Sequence, residues 1–250
     1  GDIQNAATCA WECATSLTFL GDYPRAEVYF EQSYQLCSQI GDDFGKAYID
    51  MGRGRIAFFR REYEAAIVYL SASLERFRQY GNRYESAMCA KNLGIIARRQ
   101  GRFEEARTYL EESLALRRAM RSTHTLVIGL GKLDALHIDI DNLAEARTLL
   151  LEAMTIIPSI GDVMWVKVEI MTSLAAYAFA LGQRAKAAIF LRIADAHPFE
   201  PDHQNEAALL WERFPKAQRD ALRSFPALEN GRSLDEVLSE AAACLERQGG

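Results

Sequence analysis

The 250-residue chain is 49 % hydrophobic and 25 % charged, with a formal net charge of −5. A composition this apolar is ample for a packed core, and the net negative charge argues against a protein that binds nucleic acid through its overall field. The charge is uneven, because residues 50–121 hold 15 Lys and Arg against 9 Asp and Glu. A basic middle between acidic ends favours an acidic partner, although solvated helix faces produce the same pattern.

The cysteines and the apolar runs indicate the cellular compartment. Five cysteines are an odd number without the spacing of a disulfide framework, so we expect reduced, mostly buried thiols and a cytoplasmic protein. No apolar run approaches the roughly 18 residues that a membrane span needs, and no signal peptide is visible. The chain opens with Gly-Asp and no initiator Met, which is typical of a fragment or of a processed protein.

A short motif that closes on alanine recurs along the chain from its N-terminal end. The closing alanines are separated by 40, 40, 40 and 41 residues: Ala26, Ala66, Ala106, Ala146 and Ala187. Between them, a second marker recurs every 40 residues as Gly41-Asp42, Gly81-Asn82, Arg121-Ser122 and Gly161-Asp162. A fixed period in this range indicates stacked supersecondary units.

Each unit holds two segments with helical periodicity, and β-type alternation does not occur between them. Gly21, Gly101 and Gly182 stand where a helix end requires positive φ, and Pro24 stands in a first turn. The pattern predicts an all-α protein, a right-handed α-solenoid of five antiparallel helix pairs between Asn5 and Ala196. The predicted turns within the pairs are 21–23, 61–63, 101–103, 141–143 and 182–184.

The third unit carries the most detailed motif. It reads Asn92-Leu93-Gly94, then Gly-Arg-Phe-Glu-Glu-Ala at 101–106, then Tyr-Leu-Glu-Glu-Ser-Leu at 109–114. This unit resembles a tetratricopeptide repeat, and the resemblance covers about residues 6–197. The period is longer than the family's usual 34 residues, which implies roughly one extra turn shared between the two helices. A HEAT or armadillo array has a similar period but lacks this turn motif.

Small residues stand twelve positions before four of the closing alanines, where paired helices approach most closely: Ala14, Gly54, Gly94 and Ala175. Two units depart from the pattern. In the fourth, Asp134 replaces the small residue and His137 follows three positions later. In the second, Asp50 and Arg53 fall where apolar residues are expected. Either these helices are rotated slightly, or the charges form local ion pairs.

The period fails after Ala196, so the sequence divides into repeats at 1–196 and a C-terminal helical capping segment at 197–250. Helical patterns are predicted near 203–213, 216–224 and 233–247, with a capping box at Ser233 and Glu236. A solenoid needs a polar cap over its last apolar face, and Trp211 and Phe214 are the candidate anchors.

The tail and the repeat style carry a second resemblance. Residues 229–237 (Glu-Asn-Gly-Arg-Ser-Leu-Asp-Glu-Val) and 111–117 (Glu-Glu-Ser-Leu-Ala-Leu-Arg) resemble the C-terminal part of large bacterial signal-transduction ATPase regulators of the maltose-regulator or antibiotic-regulator kind. This resemblance implies a sensor domain of a larger transcription regulator.

The sequence contains no motif of catalysis or of cofactor binding. There is no phosphate-binding loop and no His-Glu-x-x-His zinc motif. Cys9 and Cys13 are four residues apart and could share a metal, but two small buried residues on one stripe explain the spacing better. His197 and His203 flank two carboxylates in a predicted loop. A weak metal site would explain this group, and so would the ordinary polarity of a loop. We therefore predict no catalytic residue, no metal and no cofactor.

The remaining candidate is a surface. In tetratricopeptide arrays the first helix of each pair lines a concave face, and the resemblance implies that Asn92 holds a ligand backbone there. An Asn in this place also bridges neighbouring helices. The guanidinium group of an arginine can form two parallel hydrogen bonds to a carboxylate. The predicted ligand-binding residues lie on first helices, off the core stripe: Trp11, Tyr48, Arg55, Phe58, Lys91, Asn92, Ile95, Arg98 and Lys132.

These residues predict a module that binds a protein or peptide, with an acidic ligand favoured by the cations and without direct contact to nucleic acid or membrane. Two alternatives remain open at this point. One is self-association or autoinhibition, in which the repeats form a homo-oligomer or lock another module. The other is the sensing of a small-molecule inducer, which a deep pocket would favour.

Overall fold

The computed structural model describes residues 1–161, 163–196, 201–216, 219 and 233–247. These residues form two compact units, which we call unit 1 (Gly1–Met120) and unit 2 (Arg121–Gly250). The described ranges contain twelve helices and no strand, and consecutive helices pack as pairs, as in a tetratricopeptide-like α-solenoid. The predicted all-α class is confirmed. The division at residue 196 is one of sequence pattern and stays a prediction.

Unit 1 contains three helix pairs, with bounds α1 Asp2–Phe19, α2 Tyr23–Ile40, α3 Asp43–Phe59, α4 Tyr63–Gln79, α5 Arg83–Arg99 and α6 Phe103–Ala119. Unit 2 contains two more pairs, with bounds α7 Thr123–Asp139, α8 Leu143–Ile160, α9 Met164–Ala180 and α10 Arg184–Ala196. Two further helices of unit 2 follow, α11 Pro201–Glu212 and α12 Leu234–Arg247.

Helix and turn lengths account for the 40-residue period. Helices α3 to α6 have 17 residues each, and three-residue turns connect them. The turns within the pairs lie at the predicted places, one residue earlier than the predicted bounds. At 1.5 Å of rise per residue each helix is about 25 Å long. Long helices joined by short turns force each chain reversal to occur within three residues.

The tight turns need a residue in the left-handed region after the first helix of each pair. Gly21, Gly101 and Gly182 have φ of 77°, 74° and 74°, which confirms the prediction for these glycines. In the second pair the same position is Arg61, with φ of 62°. The next amide, that of Glu62, donates to the Ala57 carbonyl at 2.9 Å, the hydrogen bond of a Schellman motif. An L-residue with a Cβ adopts this conformation at an energetic cost.

The two helices of a pair come close where both sequences have small residues. A Cβ built on Gly54 would lie 2.7 Å from Leu70 Cγ, and one on Gly94 would lie 2.7 Å from Leu110 Cγ. The closing alanines Ala66 and Ala106 are fully buried beside these glycines. Side chains at these positions would overlap with their neighbours, since protein interiors are packed at crystal-like density.

A serine that recurs seven residues after the closing alanine joins the two helices of each pair in unit 1. The hydroxyl groups of Ser33, Ser73 and Ser113 donate to the carbonyls of Ala7, Ala47 and Ala87, at 2.8, 2.7 and 2.8 Å. All three serines are buried. The bond satisfies the buried hydroxyl and fixes the register of one helix against the other.

The charges that interrupt the apolar stripe in the second pair are ion-paired with other helices. Arg76 of α4 donates to the buried Asp50, and Arg53 donates to Glu31 of α2. The alternative of ion pairs is therefore correct for this pair, but the partners are not local. Each partner comes from a neighbouring helix, because the side chains leave the stripe toward the adjacent helix and not along their own.

The C-terminal helices pack on the last pairs of unit 2. The buried Trp211 and Phe214 lie in one apolar cluster with Ala175, Ala187 and Leu191 of α9 and α10, which confirms them as anchors. The Trp211 indole also donates to Asp195 at 2.7 Å. The pattern at 203–213 corresponds to α11 and that at 233–247 to α12, whereas 216–224 lies almost wholly outside the described residues.

Helix α12 is fixed at both ends. At its start the capping box is confirmed, because Glu236 accepts from the Ser233 amide at 2.7 Å and the Glu236 amide donates to Ser233 Oγ at 3.2 Å. At its end, Arg147 of α8 donates to the carbonyls of Leu245 and Glu246, at 2.7 and 3.1 Å. These bonds attach the helix to the side of the α7–α8 pair.

The cysteine prediction is wrong in part. Cys37 and Cys89 are buried, and burial raises the pKa of the Cys89 thiol to about 12. Cys9 and Cys13 were predicted to be buried on one stripe, but both are exposed. The residue one repeat after Cys9 is Ile49, which is buried. Ile49 lies in an apolar cluster with Ala7 and Phe30 of the pair before it, and the described residues hold no such pair beside Cys9.

Across the part of the chain that is described, no helix combines the length and the apolar character that crossing a membrane requires.

Candidate functional site

The first helices of unit 1 lie next to one another. Helix α1 contacts α3, and α3 contacts α5, in addition to the contacts within each pair. Five residues on these helices are at least partly exposed and are linked by contacts. We call them the first-helix face: Trp11 and Phe19 of α1, Tyr48 and Arg55 of α3, and Glu85 of α5.

Aromatic rings form one half of the first-helix face. The Trp11 and Tyr48 rings meet edge to face, with centroids 5.4 Å apart. Tyr48 also contacts the buried Phe77 at 4.9 Å and Phe44 at 5.3 Å, and Phe44 in turn contacts Tyr80 at 5.1 Å. Phe44 and Tyr80 are exposed. Edge-to-face contacts hold these rings in fixed orientations, so this half is rigid and apolar.

Hydrogen bonds connect the aromatic half to a carboxylate. The Tyr48 hydroxyl accepts from the side-chain amide of Asn82 at 3.2 Å and donates to the Glu85 carboxylate. Burial raises the pKa of Glu85, and the nearby Arg55 and the Tyr48 hydroxyl offset part of that rise. Burial, followed by the Glu85 charge, raises the pKa of Tyr48. Glu85 thus orients Tyr48 and places a negative charge beside Arg55.

Arg55 forms the other half of the first-helix face. Its guanidinium lies over the Phe19 ring, 5.0 Å from the centroid, and 6.0 Å from the Phe59 centroid. The side chain is half-buried while Phe19 is 52 % exposed. A guanidinium that stacks on aromatic rings keeps its N–H donors, which lie in its own plane, available to pair with a carboxylate.

The nine predicted site residues fall into two groups. Trp11, Tyr48 and Arg55 are half-buried and reach the surface together on the first-helix face. Five more residues of unit 1 are buried: Phe58, Lys91, Asn92, Ile95 and Arg98. The ninth, Lys132, belongs to unit 2 and is buried as well.

Helix α5 holds four of the five buried residues of unit 1, whereas Phe58 lies on α3. Every residue from Lys91 to Arg98 is buried, on both sides of the helix. The rule that first-helix residues off the core stripe are accessible therefore holds for Trp11, Tyr48 and Arg55, but not for Phe58 or for the second half of α5. Asn92 is only 4 % exposed, so its amide lies within the packed helices.

Lys132 lies in a buried polar cluster between α7 and α9. Its ammonium is 2.8 Å from Glu169 Oε1, and both side chains are about 5 % exposed. Ser173 Oγ donates to Asp134 at 3.2 Å, and Asn142 Nδ2 lies 3.3 Å from Nδ1 of the buried His137. The residues that interrupt the fourth repeat are thus held by polar contacts between helices.

Sequence reasoning missed Phe19, Glu85, Phe44 and Tyr80. Phe44 and Tyr80 stand next to the Gly41 and Gly81 markers, so their position at the turns between pairs could have indicated a shared edge. Glu85 follows the helix-capping Asn82 by three residues, which identifies a first-turn residue but not a contact with Tyr48. Its proximity to Arg55, 30 positions earlier, leaves no signal in a single sequence.

Among the described residues, no three His, Cys, Asp or Glu side chains are grouped so that they could hold a metal ion. The loop with His197 lies outside the described residues, as does the side chain of His203.

Comparison with known proteins gives one family. Residues 45–119 match the model of the tetratricopeptide repeat family, over α3 to α6. No curated protein matches the sequence. Such repeats generally mediate protein–protein interactions, and the scaffold is typically non-catalytic. The match and the paired helices together support a tetratricopeptide repeat protein, with the family motif located in the second and third pairs.

Proposed function

We propose that the chain is a protein- or peptide-binding repeat module and that the first-helix face of unit 1 is its docking surface. The observation that carries the proposal is the joint exposure of Trp11, Tyr48 and Arg55 in orientations fixed by ring contacts. Trp, Tyr and Arg are the residue types that dominate binding hot spots. Side chains that are already ordered lose little entropy on binding, which favours affinity.

The proposed ligand carries an apolar residue for the Trp11–Tyr48 half and an acidic residue for Arg55. Of the four cations that favoured an acidic ligand, Lys91, Arg98 and Lys132 are buried, so the proposal depends on Arg55. Glu85 lies beside Arg55 and lowers the net charge of the face. We therefore expect the first-helix face to bind one acidic side chain of the ligand, and not a stretch of acidic residues.

A peptide selection tests the proposal. A phage-displayed library of random peptides is panned against the whole chain, and the affinity of the strongest peptide is measured by fluorescence anisotropy. We expect Trp11→Ala and Arg55→Ala each to weaken binding at least tenfold, about 1.4 kcal/mol. The affinity for the wild type should also fall as salt rises, because exposed ion pairs are screened over about 8 Å at physiological ionic strength.

Val68→Ala is the matched control. Val68 is 67 % exposed on α4, a second helix, and lies outside the first-helix face. This variant should bind as the wild type does. Peptides that lose affinity for Val68→Ala, but not for the Trp11 and Arg55 variants, would place docking on the second helices and reject the proposal.

We also propose that the module is the cytoplasmic sensor or interaction domain of a larger bacterial regulatory protein. The support is the resemblance of residues 111–117 and 229–237 to the C-terminal part of signal-transduction ATPase regulators. Reading the complete open reading frame tests it. An adjoining nucleotide-binding module would support the regulator, and an open reading frame without one would reject it.

A further inference from the structure

Unit 2 contains a cavity that the proposed docking surface does not use. Its volume is about 640 Å³, within the range of roughly 300–1,000 Å³ that small-molecule sites occupy. It lies between the end of α8, the start of α9 and one side of α12. Most of its lining is aliphatic, with Met154, Ile157, Pro158, Leu238 and Ala242.

Three of the described lining residues carry polar side chains, each of a different kind. Lys167 of α9 and Asp235 of α12 line it together, with Lys167 Nζ 2.9 Å from Asp235 Oδ1. Ser239, one helical turn after Asp235, contributes a hydroxyl. The Lys167 side chain is 7 % exposed and that of Asp235 is 70 % exposed. The cation is therefore enclosed by the protein, whereas the anion beside it is open to solvent.

This asymmetry defines the ligand chemistry. An enclosed ammonium needs an anion close by, because a buried charge without compensation is costly. A solvated carboxylate such as Asp235 can turn back into water and leave its place to another anion. The apolar lining residues that are described are aliphatic and include no aromatic ring, which fits a flexible hydrocarbon chain better than a flat ring.

We propose that this cavity binds an aliphatic monocarboxylate, whose carboxylate pairs with Lys167 and bonds Ser239 while its chain lies against Met154, Ile157 and Leu238. Binding exchanges the Lys167–Asp235 ion pair for one with the ligand, so the ligand acts on a bond between α9 and α12. The site belongs to unit 2 and is independent of the peptide face of unit 1.

Decanoate is the probe, titrated by calorimetry into the whole chain below its critical micelle concentration. We expect saturable binding at one site, and an affinity that rises about fourfold for each methylene from hexanoate to decanoate, as burial of one CH₂ predicts. Decan-1-ol, which has no charge to pair with Lys167, should bind at least tenfold more weakly. Absence of decanoate binding, or equal binding of the alcohol, would overturn the proposal.

Three variants locate the site. Lys167→Gln should weaken decanoate at least tenfold, while Lys186→Gln, at an exposed lysine of α10 in the same unit, should leave the affinity unchanged. Asp235→Asn should tighten binding about three- to tenfold, because it removes an anion that competes with the ligand for Lys167. Unchanged affinity in Lys167→Gln or weaker binding in Asp235→Asn would overturn the proposal.

A fourth variant covers the case in which Lys167→Gln does not fold. Ser239 is exposed, so Ser239→Phe is expected to fold, as circular dichroism would verify, and to fill the cavity mouth. It should abolish decanoate binding. Full affinity in this variant would show that the ligand binds elsewhere.

Discussion

Unit 1 and the first pair of unit 2 use the same 40-residue repeat but fill two equivalent positions differently. At the close approach of the paired helices, the third pair has Gly94 against Leu110, whereas the fourth has Asp134, which accepts from Ser173 of α9. At the inter-helix hydrogen bond, the third pair has Ser113 donating to Ala87, whereas the fourth has Ala153.

The difference shows two ways of fixing one helix against another. Within each pair of unit 1, a buried serine of the second helix donates to a first-helix carbonyl. In unit 2, polar contacts lie between first helices, through Lys132–Glu169 and Asp134–Ser173. The family match ends at residue 119, where the first arrangement ends.

Placing the residue type of the fourth pair at the close approach of the third pair should lower stability the most. Gly94→Asp introduces the residue of the fourth repeat at a position where even a Cβ atom would overlap with Leu110. We expect the free energy of unfolding to fall by at least about 4 kcal/mol, because a carboxylate is buried without a matched partner. Urea denaturation followed by circular dichroism measures it. Gly81→Asp, in open space at a turn, should cost much less, and equal losses would contradict the account.

Breaking the ion pair of unit 2 should give the next effect. Lys132→Met leaves Glu169 buried without its ammonium, and we expect a loss of about 3 kcal/mol. The double variant Lys132→Met/Glu169→Leu should recover most of that loss, because two apolar side chains can replace a buried ion pair. Lys186→Met on the surface serves as the control. A double variant as unstable as the single one would show that the pair is not the source of the effect.

Removing one serine bond of unit 1 should cost less. Ser73→Ala deletes the hydroxyl that donates to the Ala47 carbonyl, and a loss of about 1 kcal/mol is expected. Ser38→Ala removes a hydroxyl that is exposed and bonds its own helix, so its effect should stay below about 0.5 kcal/mol. If both variants lost the same stability, the inter-helix bond would not fix the pair.

The smallest effect is expected at the turns. Arg61→Gly should raise the free energy of unfolding by about 0.5 kcal/mol, since glycine adopts the φ of 62° without the cost of a Cβ. Gly101→Ala tests the reverse change, because a Cβ there meets no atom and only its φ of 74° is unfavourable. It should lose about 1 kcal/mol. A destabilised Arg61→Gly would mean that the arginine side chain contributes more than the strain costs.

The sequence was informative wherever a residue type has one structural meaning. The closing alanines, the turn glycines and the Ser233–Glu236 box recur or stand at fixed spacings, so they predicted the pairs, the turns and the cap. The site was less accessible to prediction. Lys91 and Arg98 lie on a first helix as expected, but burial depends on what covers a helix, and a periodic pattern does not encode that. The electrostatic interaction between Arg55 and Glu85 is likewise set by packing between pairs.

Site-specific photo-crosslinking tests the central claim, docking on the first-helix face, most directly. A benzophenone amino acid replaces Trp11 in one variant and Val68 in another, and each is irradiated with the selected peptide. The account predicts a covalent adduct from position 11 and none from position 68. An adduct from position 68, with none from position 11, would contradict it and place the ligand on the second helices.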